Sequence, residues 1–178
     1  MNETELDTYI HENIQGVFGG YEYELFKREV GKLKPGQIYL EIGVDEGKSM
    51  TVAHYYAKKG VYLIGIDIND VPPHAVSMGR GNFAVKDGQI GLDKNGFFIH
   101  GDADVFADIW DRKIDLLFID GHHDYESVKN NTLNWESKVK KGGVIMFHDY
   151  DHVETKQWLD EHYNKKEIFG GKIVKVVI

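Results

Sequence analysis

The sequence predicts an α/β domain: a seven-stranded, mostly parallel sheet with helices on both faces and an antiparallel C-terminal strand. Three observations carry this reading. From residue 36 onward, short apolar segments alternate with amphipathic ones, the rhythm of βαβ units and therefore of a parallel sheet. The segments QIYLEIG, VYLIGID, IDLLFID and GVIMFHD are apolar without strict alternation, as strands buried on both faces are. At the C-terminal end, KEIF and KIVKVVI are separated by Gly170-Gly171, the spacing of a hairpin that closes one sheet edge.

The elements follow in order. Leu6, Ile10, Ile14, Val17 and Phe18, then Tyr21, Leu25, Val30 and Leu33 recur every three to five residues, fitting two amphipathic helices broken near Gly19-Gly20. This N-terminal helical segment, 1–34, ends before Pro35-Gly36. Strand QIYLEIG, a helix over 49–59 and strand VYLIGID come next. Over 70–96 periodicity fails, and Pro72-Pro73 with GRGN, DGQIG and DKNG reads as an irregular inserted loop and a natural lid. The alternation resumes with strand FFIHG, a short helix over 104–110, strand IDLLFID, a helix over 125–139, strand GVIMFHD and a helix over 153–163. Phe118, Ile119, Val144, Ile145 and Met146 are core residues. No repeat or linker interrupts the chain, so 1–178 is expected to be one domain.

Composition narrows the function. With 42% hydrophobic and 28% charged residues, disordered, collagen-like and low-complexity classes are excluded. Lys and Arg number 21 against 29 Asp and Glu, a net charge of −8, and the excess is shared evenly between the two halves. No basic face is available for phosphate backbones, so nucleic acid is not an expected partner. Cysteine is absent, which removes disulfides, thiolate metal sites and cysteine nucleophiles and leaves any metal to His and carboxylates. No apolar run approaches the ~18 residues of a membrane span. The opening MNETELDTYI is acidic where a signal peptide would be basic and then apolar. A cytoplasmic protein is expected.

Three motifs carry chemistry. In LEIGVDEGKS, 40–49, Gly43 and Gly47 allow a sharp strand-to-helix turn close to a ligand. Glu41 beside them would repel a pyrophosphate and welcome an amine-bearing or cationic ligand. Neither GxGxxG nor GxxxxGK[ST] is present, which disfavours a nicotinamide oxidoreductase. In GIDIN, Asp67 ends a strand about twenty residues after the glycines, where a carboxylate can accept from a ribose diol or cap a turn. In HGDAD, Asp102 either meets an adenine amino group or caps the helix that follows.

The ordered set E-x-G-x-x-x-G-x-S, the acidic strand end, GDA, FIDGHHDYE and GGVIMFHD resembles class I S-adenosylmethionine-dependent methyltransferases over 36–150. Within them it is similar to the small methyltransferases with an FIDG-x-H-x-YE segment, related to metal-dependent sugar and antibiotic O-methyltransferases and to cephalosporin hydroxylase-like proteins. The resemblance implies a Rossmann-like fold and S-adenosylmethionine as cofactor. Glu41, Gly43 and Val44 would face its methionine end, with Gly47 and Ser49 completing the turn. Asp67 and Ile68 would hold the ribose, and Gly101, Asp102 and Ala103 the adenine edge. Asp120 would lie between cofactor and metal, and with His148 and Asp149 would form a metal triad.

Asp120 and Asp149 also end predicted parallel strands, whose carboxyl ends share one sheet edge. Two carboxylates and an imidazole suit Mg²⁺, Mn²⁺ or another divalent ion, although the family commonly has an acidic or amide residue at His148, which favours a softer ion. Without metal, His148 and Asp149 would only hydrogen-bond the sheet edge. His122, His123, Asp124, Asp151 and His152 thicken this edge. His123 matches the family histidine, a candidate general base or a structural group; Glu126 opens the next helix, where it favours the dipole. The expected reaction is O-methylation of a small-molecule hydroxyl, with a homodimer covering the N-terminal helices or the sheet edge. A metal-dependent hydrolase and a cofactor-binding protein without catalysis are the alternatives.

Overall fold

The structure is a computed structural model and describes residues 3–14, 19–69, 84–86, 89–92 and 96–178. Two helices come first, α1 (Glu3–Asn13) and α2 (Gly20–Gly31). The alternating part runs β1 (Ile38–Ile42), α3 (Lys48–Tyr56), β2 (Tyr62–Asp67), β3 (Ala84–Lys86), β4 (Gln89–Leu92) and β5 (Gly96–His100). It continues with α4 (Ala103–Ile109), β6 (Ile114–Ile119), α5 (Tyr125–Trp135), β7 (Val139–Phe147), α6 (Val153–His162), β8 (Glu167–Phe169) and β9 (Ile173–Val177).

All seven expected strands are present, and β3 and β4 are additional. The sheet order is β3-β4-β5-β2-β1-β6-β7-β9-β8. It is parallel from β5 to β7 and antiparallel at both margins. The two extra strands fall inside the stretch expected to be irregular. At three and four residues, Ala84–Lys86 and Gln89–Leu92 are too short to display a two-residue apolar period, and backbone pairing of β3 onto β4 and of β4 onto β5 defines them. Pro72-Pro73 and the rest of the expected lid lie outside the described residues, as do Val17 and Phe18. The helix expected over 125–139 is shorter: it gives way at Glu136–Lys138 to a 3-10 turn. Val139 already pairs with Ile114, ahead of an irregularity in register, so β7 starts four residues early.

Strand alternation divides the interior into two cores. Tyr39, Leu116, Phe118 and Met146 face α1, α2 and α3, packing with Ile10, Phe26, Val30, Met50 and Val52. Leu40, Ile42, Leu117, Ile119, Ile145 and Phe147 face α4, α5 and α6, packing with Ala107, Val128, Trp135 and Leu159. Val144 is partly buried against the first core. Tyr21, expected on the apolar stripe of α2, is instead exposed. The helix turns its buried face through Tyr23, Phe26 and Val30, leaving Tyr21 on the other side. No helix among the described residues is long and apolar enough to cross a membrane.

Candidate active site

The chain leaves β1 toward β2 and β5 on one side of the sheet and later places β6 and β7 on the other. The reversal between β1 and β6 opens a crevice at the carboxyl ends of the strands, where open α/β sheets bind ligands. Gly43 sits at its floor with φ of 85°. A Cβ there would lie 2.1 Å from the carbonyl oxygen of Asp120, so only glycine lets the loop after β1 touch the loop after β6. The amide of Asp120 donates to Ile42 O at 2.8 Å and that of Gly43 to Ile66 O at 2.9 Å, which ties three strand ends together.

A cleft of about 660 Å³ opens over this floor, within the ~300–1,000 Å³ of small-molecule sites. Gly43, Val44, Ser49, Asp67, Ile68, Gly101, Asp102 and Ala103 line one part of it; Asp120, His123, His148 and Asp149 line another. Glu41 and Gly47 are not on its wall. Gly47 takes the left-handed conformation that caps α3. Glu41 points into the first core, fully buried, because alternation puts it on the same strand face as Tyr39. Its two carboxyl oxygens accept from the hydroxyls of Tyr39 and Ser49. Burial, only partly offset by the Ser49 and Tyr39 hydroxyls, pushes the Glu41 carboxyl up to about 8. In this structure Glu41 reaches the cleft only through Ser49.

Asp67 shapes the loop itself. Its Oδ2 accepts from the amides of Val44 at 2.6 Å and Asp45 at 2.8 Å, and its Oδ1 from Asn69 at 2.8 Å. These bonds hold Asp45 at φ of 46°, a left-handed conformation uncommon outside glycine. Asp102 caps α4 by accepting from the amide of Asp104 at 2.8 Å, while still lining the cleft. The sequence allowed either role; a cap and a cleft position coincide here.

The opposite part of the cleft gathers charge. One donor atom each from Asp120, His148 and Asp149 lies within 4.8 Å of the others. His148 Nδ1 is 3.1 Å from Asp120 Oδ1 and 3.0 Å from Asp149 Oδ2. Donors about 3 Å apart are neighbouring corners of an octahedron with ~2.1 Å metal–ligand bonds, so the donor set fits a divalent ion. The positive charge now sits on His148. Burial opposes it, but Asp120, Asp149 and Glu22 outweigh burial and raise its pKa to about 12. Burial, against the bond from His148, raises the Asp120 carboxyl. Burial would raise Asp149 too, but the His148 contacts prevail and hold it below the ordinary carboxylate range. Asp149 is left-handed, φ 54°, a conformation of the kind that gathers at functional sites. His123 Nδ1 lies 3.1 Å from Asp149 Oδ2, and its ring is 4.7 Å from that of His152.

Two residues of this neighbourhood escaped the sequence. Tyr39 was legible in principle, two residues before Glu41 on one strand face. Glu22, 3.5 Å from His148 Nε2, had no local signal.

Residues 40–150 match a family described as a methyltransferase domain. The chain belongs to that family. An uncharacterized protein of Acanthamoeba polyphaga mimivirus is 32% identical over 182 residues, covering 92% of this chain and 76% of the relative. A Corynebacterium glutamicum protein of solved structure superimposes with a TM-score of 0.70 at 9% identity, over 99% of this chain and 90% of its own. The O-methyltransferase from Bacillus cereus, solved in complex with SAH, gives 0.66 at 13% identity, over 100% of this chain and 92% of its own. The fold is that of class I S-adenosylmethionine-dependent methyltransferases, a Rossmann-like sheet with antiparallel C-terminal strands.

Proposed function

We propose that this methyltransferase domain moves the methyl group of S-adenosylmethionine to a hydroxyl oxygen of a small molecule, at a site holding a divalent ion. The observation that supports this reading is the single cleft that joins the glycine loop, with Asp67 and Asp102, to the Asp120, His148 and Asp149 cluster. A methyl donor at the loop and an acceptor at the cluster would meet across Asp120, consistent with the in-line displacement that methyl transfer needs. The carbon–sulfur bond breaks as the oxygen–carbon bond forms, and the acceptor's proton must leave.

His123 is our base. Its Nδ1–H would donate to Asp149 Oδ2 at 3.1 Å, the tautomer in which Nε2 is the lone-pair nitrogen that receives the acceptor's proton. Asp120, His148 and Asp149 would hold the ion, which supplies a lowered hydroxyl pKa and an orienting contact. The fold shared with the Bacillus cereus O-methyltransferase is the reason for choosing oxygen as the acceptor atom.

The test is a calorimetric titration with S-adenosylhomocysteine, run chelated and then with magnesium or manganese, followed by methyl transfer to a panel of hydroxyl compounds. Saturable one-to-one binding and ion-dependent transfer are expected. Absence of binding under every condition would refute the reading and favour a hydrolase that uses the same acidic edge with water as nucleophile.

A further inference from the structure

We infer that Glu22 is a positioning residue for the metal site, holding the His148 ring so that Nδ1 rather than Nε2 is its ligand atom. This rests on the metal reading above. Glu22 lies in the first turn of α2, outside the 40–150 stretch that matches the methyltransferase family, and 126 positions before the histidine it serves.

The geometry is one-sided. Nδ1 of His148 faces Asp120 and Asp149, at 3.1 and 3.0 Å. The other ring nitrogen, Nε2, faces Glu22 Oε2 at 3.5 Å, an ion pair at the long edge of hydrogen-bond reach. Both side chains are buried, 5% exposed for His148 and 7% for Glu22, so neither carboxylate nor imidazole is satisfied by bulk water. A ligating histidine commonly gives its second N–H to a carboxylate, which fixes the tautomer and makes the ligand nitrogen more basic. Glu22 occupies that outer position.

The rest of the fold keeps Glu22 there. Its Oε1 accepts from the Gly19 amide at 3.1 Å, which locks the side chain to the start of its own helix. Phe26, one turn on, packs its ring 5.8 Å from Tyr39 and 5.1 Å from Phe118, and Phe118 in turn stands edge-on to His148 at 6.2 Å. The helix is anchored from outside by Asp7 of α1, which accepts from Tyr23 of α2 at 2.6 Å and from Lys27 at 2.8 Å. The N-terminal helices are therefore part of the site's support and not merely a cover for the sheet.

The experiment uses the full chain with Mn²⁺ alone as probe, followed by calorimetry and electron paramagnetic resonance, with Co²⁺ spectra as a second readout. Glu22→Ala should raise the Mn²⁺ dissociation constant about 10- to 100-fold and alter the Co²⁺ ligand-field bands. Glu22→Gln has a single acceptor oxygen, which can face Nε2 only with its NH2 group turned toward the Gly19 amide, and should recover part of that loss. S-adenosylhomocysteine affinity should stay at the wild-type value in both, which reports an intact cleft. Wild-type Mn²⁺ affinity and Co²⁺ spectrum in Glu22→Ala would overturn the positioning role and leave the metal site standing. Failure of the wild-type chain itself to bind either ion would overturn the metal reading and this role with it.

Discussion

Glu41→Gln isolates the cost of burying one carboxylate beneath the glycine loop. Burial raises the Glu41 carboxyl from an ordinary 4.5 to about 8. Below pH 4.5 the folded and unfolded chains both carry the proton, and the stability linked to it is fully present. As pH rises, the unfolded chain ionises first and the folded one only near pH 8, so stability is lost across that window. The slope for one proton is about 1.4 kcal/mol per pH unit, and the whole window amounts to about 5 kcal/mol. Glutamine retains a neutral, hydrogen-bonding group between Tyr39 and Ser49 and does not titrate. Every other ionisable group is common to both chains, so the difference between them reports Glu41. Urea denaturation at intervals from pH 5 to pH 9 should show the variant gaining on the wild type by about 1.4 kcal/mol per unit up to pH 8, then keeping a constant lead. A lead independent of pH across the whole range would mean that Glu41 is ionised in the folded protein, and the buried-acid account would be wrong.

Gly43→Ala sets a Cβ 2.1 Å from the Asp120 carbonyl oxygen at φ of 85°; strain and overpacking together should cost about 2–6 kcal/mol, read as a lowered denaturation midpoint. An unchanged midpoint would contradict the close contact of the two loops. Asp67→Asn replaces one accepting oxygen with a donor facing backbone amides, so stability should fall by about 1–3 kcal/mol and S-adenosylhomocysteine should bind more weakly in calorimetry. Retention of both would show that the loop does not depend on this carboxylate. Asp120→Asn and Asp149→Asn should each remove stoichiometric Mn²⁺ binding while sparing most cofactor binding, and unaltered ion stoichiometry in both would dissolve the triad.

Much of this architecture was legible before any coordinates. The strands β1, β2, β6 and β7 are buried on both faces, and such burial demands continuous apolar runs that no loop would carry. The hairpin β8–β9 announced itself by paired glycines between two apolar segments. Strands β3 and β4 did not, because they are too short to carry a side-chain pattern, and the pairing of β3 to β4 and of β4 to β5 makes them strands. Residue types at strand ends were equally legible. Asp67, Asp102, Asp120, His148 and Asp149 stand where the βα rhythm ends each strand, and topology brings all those ends to one edge.

Sequence by itself thus determined the fold class, the edge that holds the candidate site and the residue types available there. Tertiary structure decided how each of those residues is used. Alternation along β1 sends Glu41 inward to Tyr39, so a carboxylate read as facing a ligand is a buried acid under the loop. Asp67, open to a ribose by its position, is already engaged with three loop amides. Glu22 meets His148 only because Phe26 seats α2 against β1 and β6. Local periodicity records which face of an element is apolar, whereas the distance between side chains remote in sequence depends on how those faces pack.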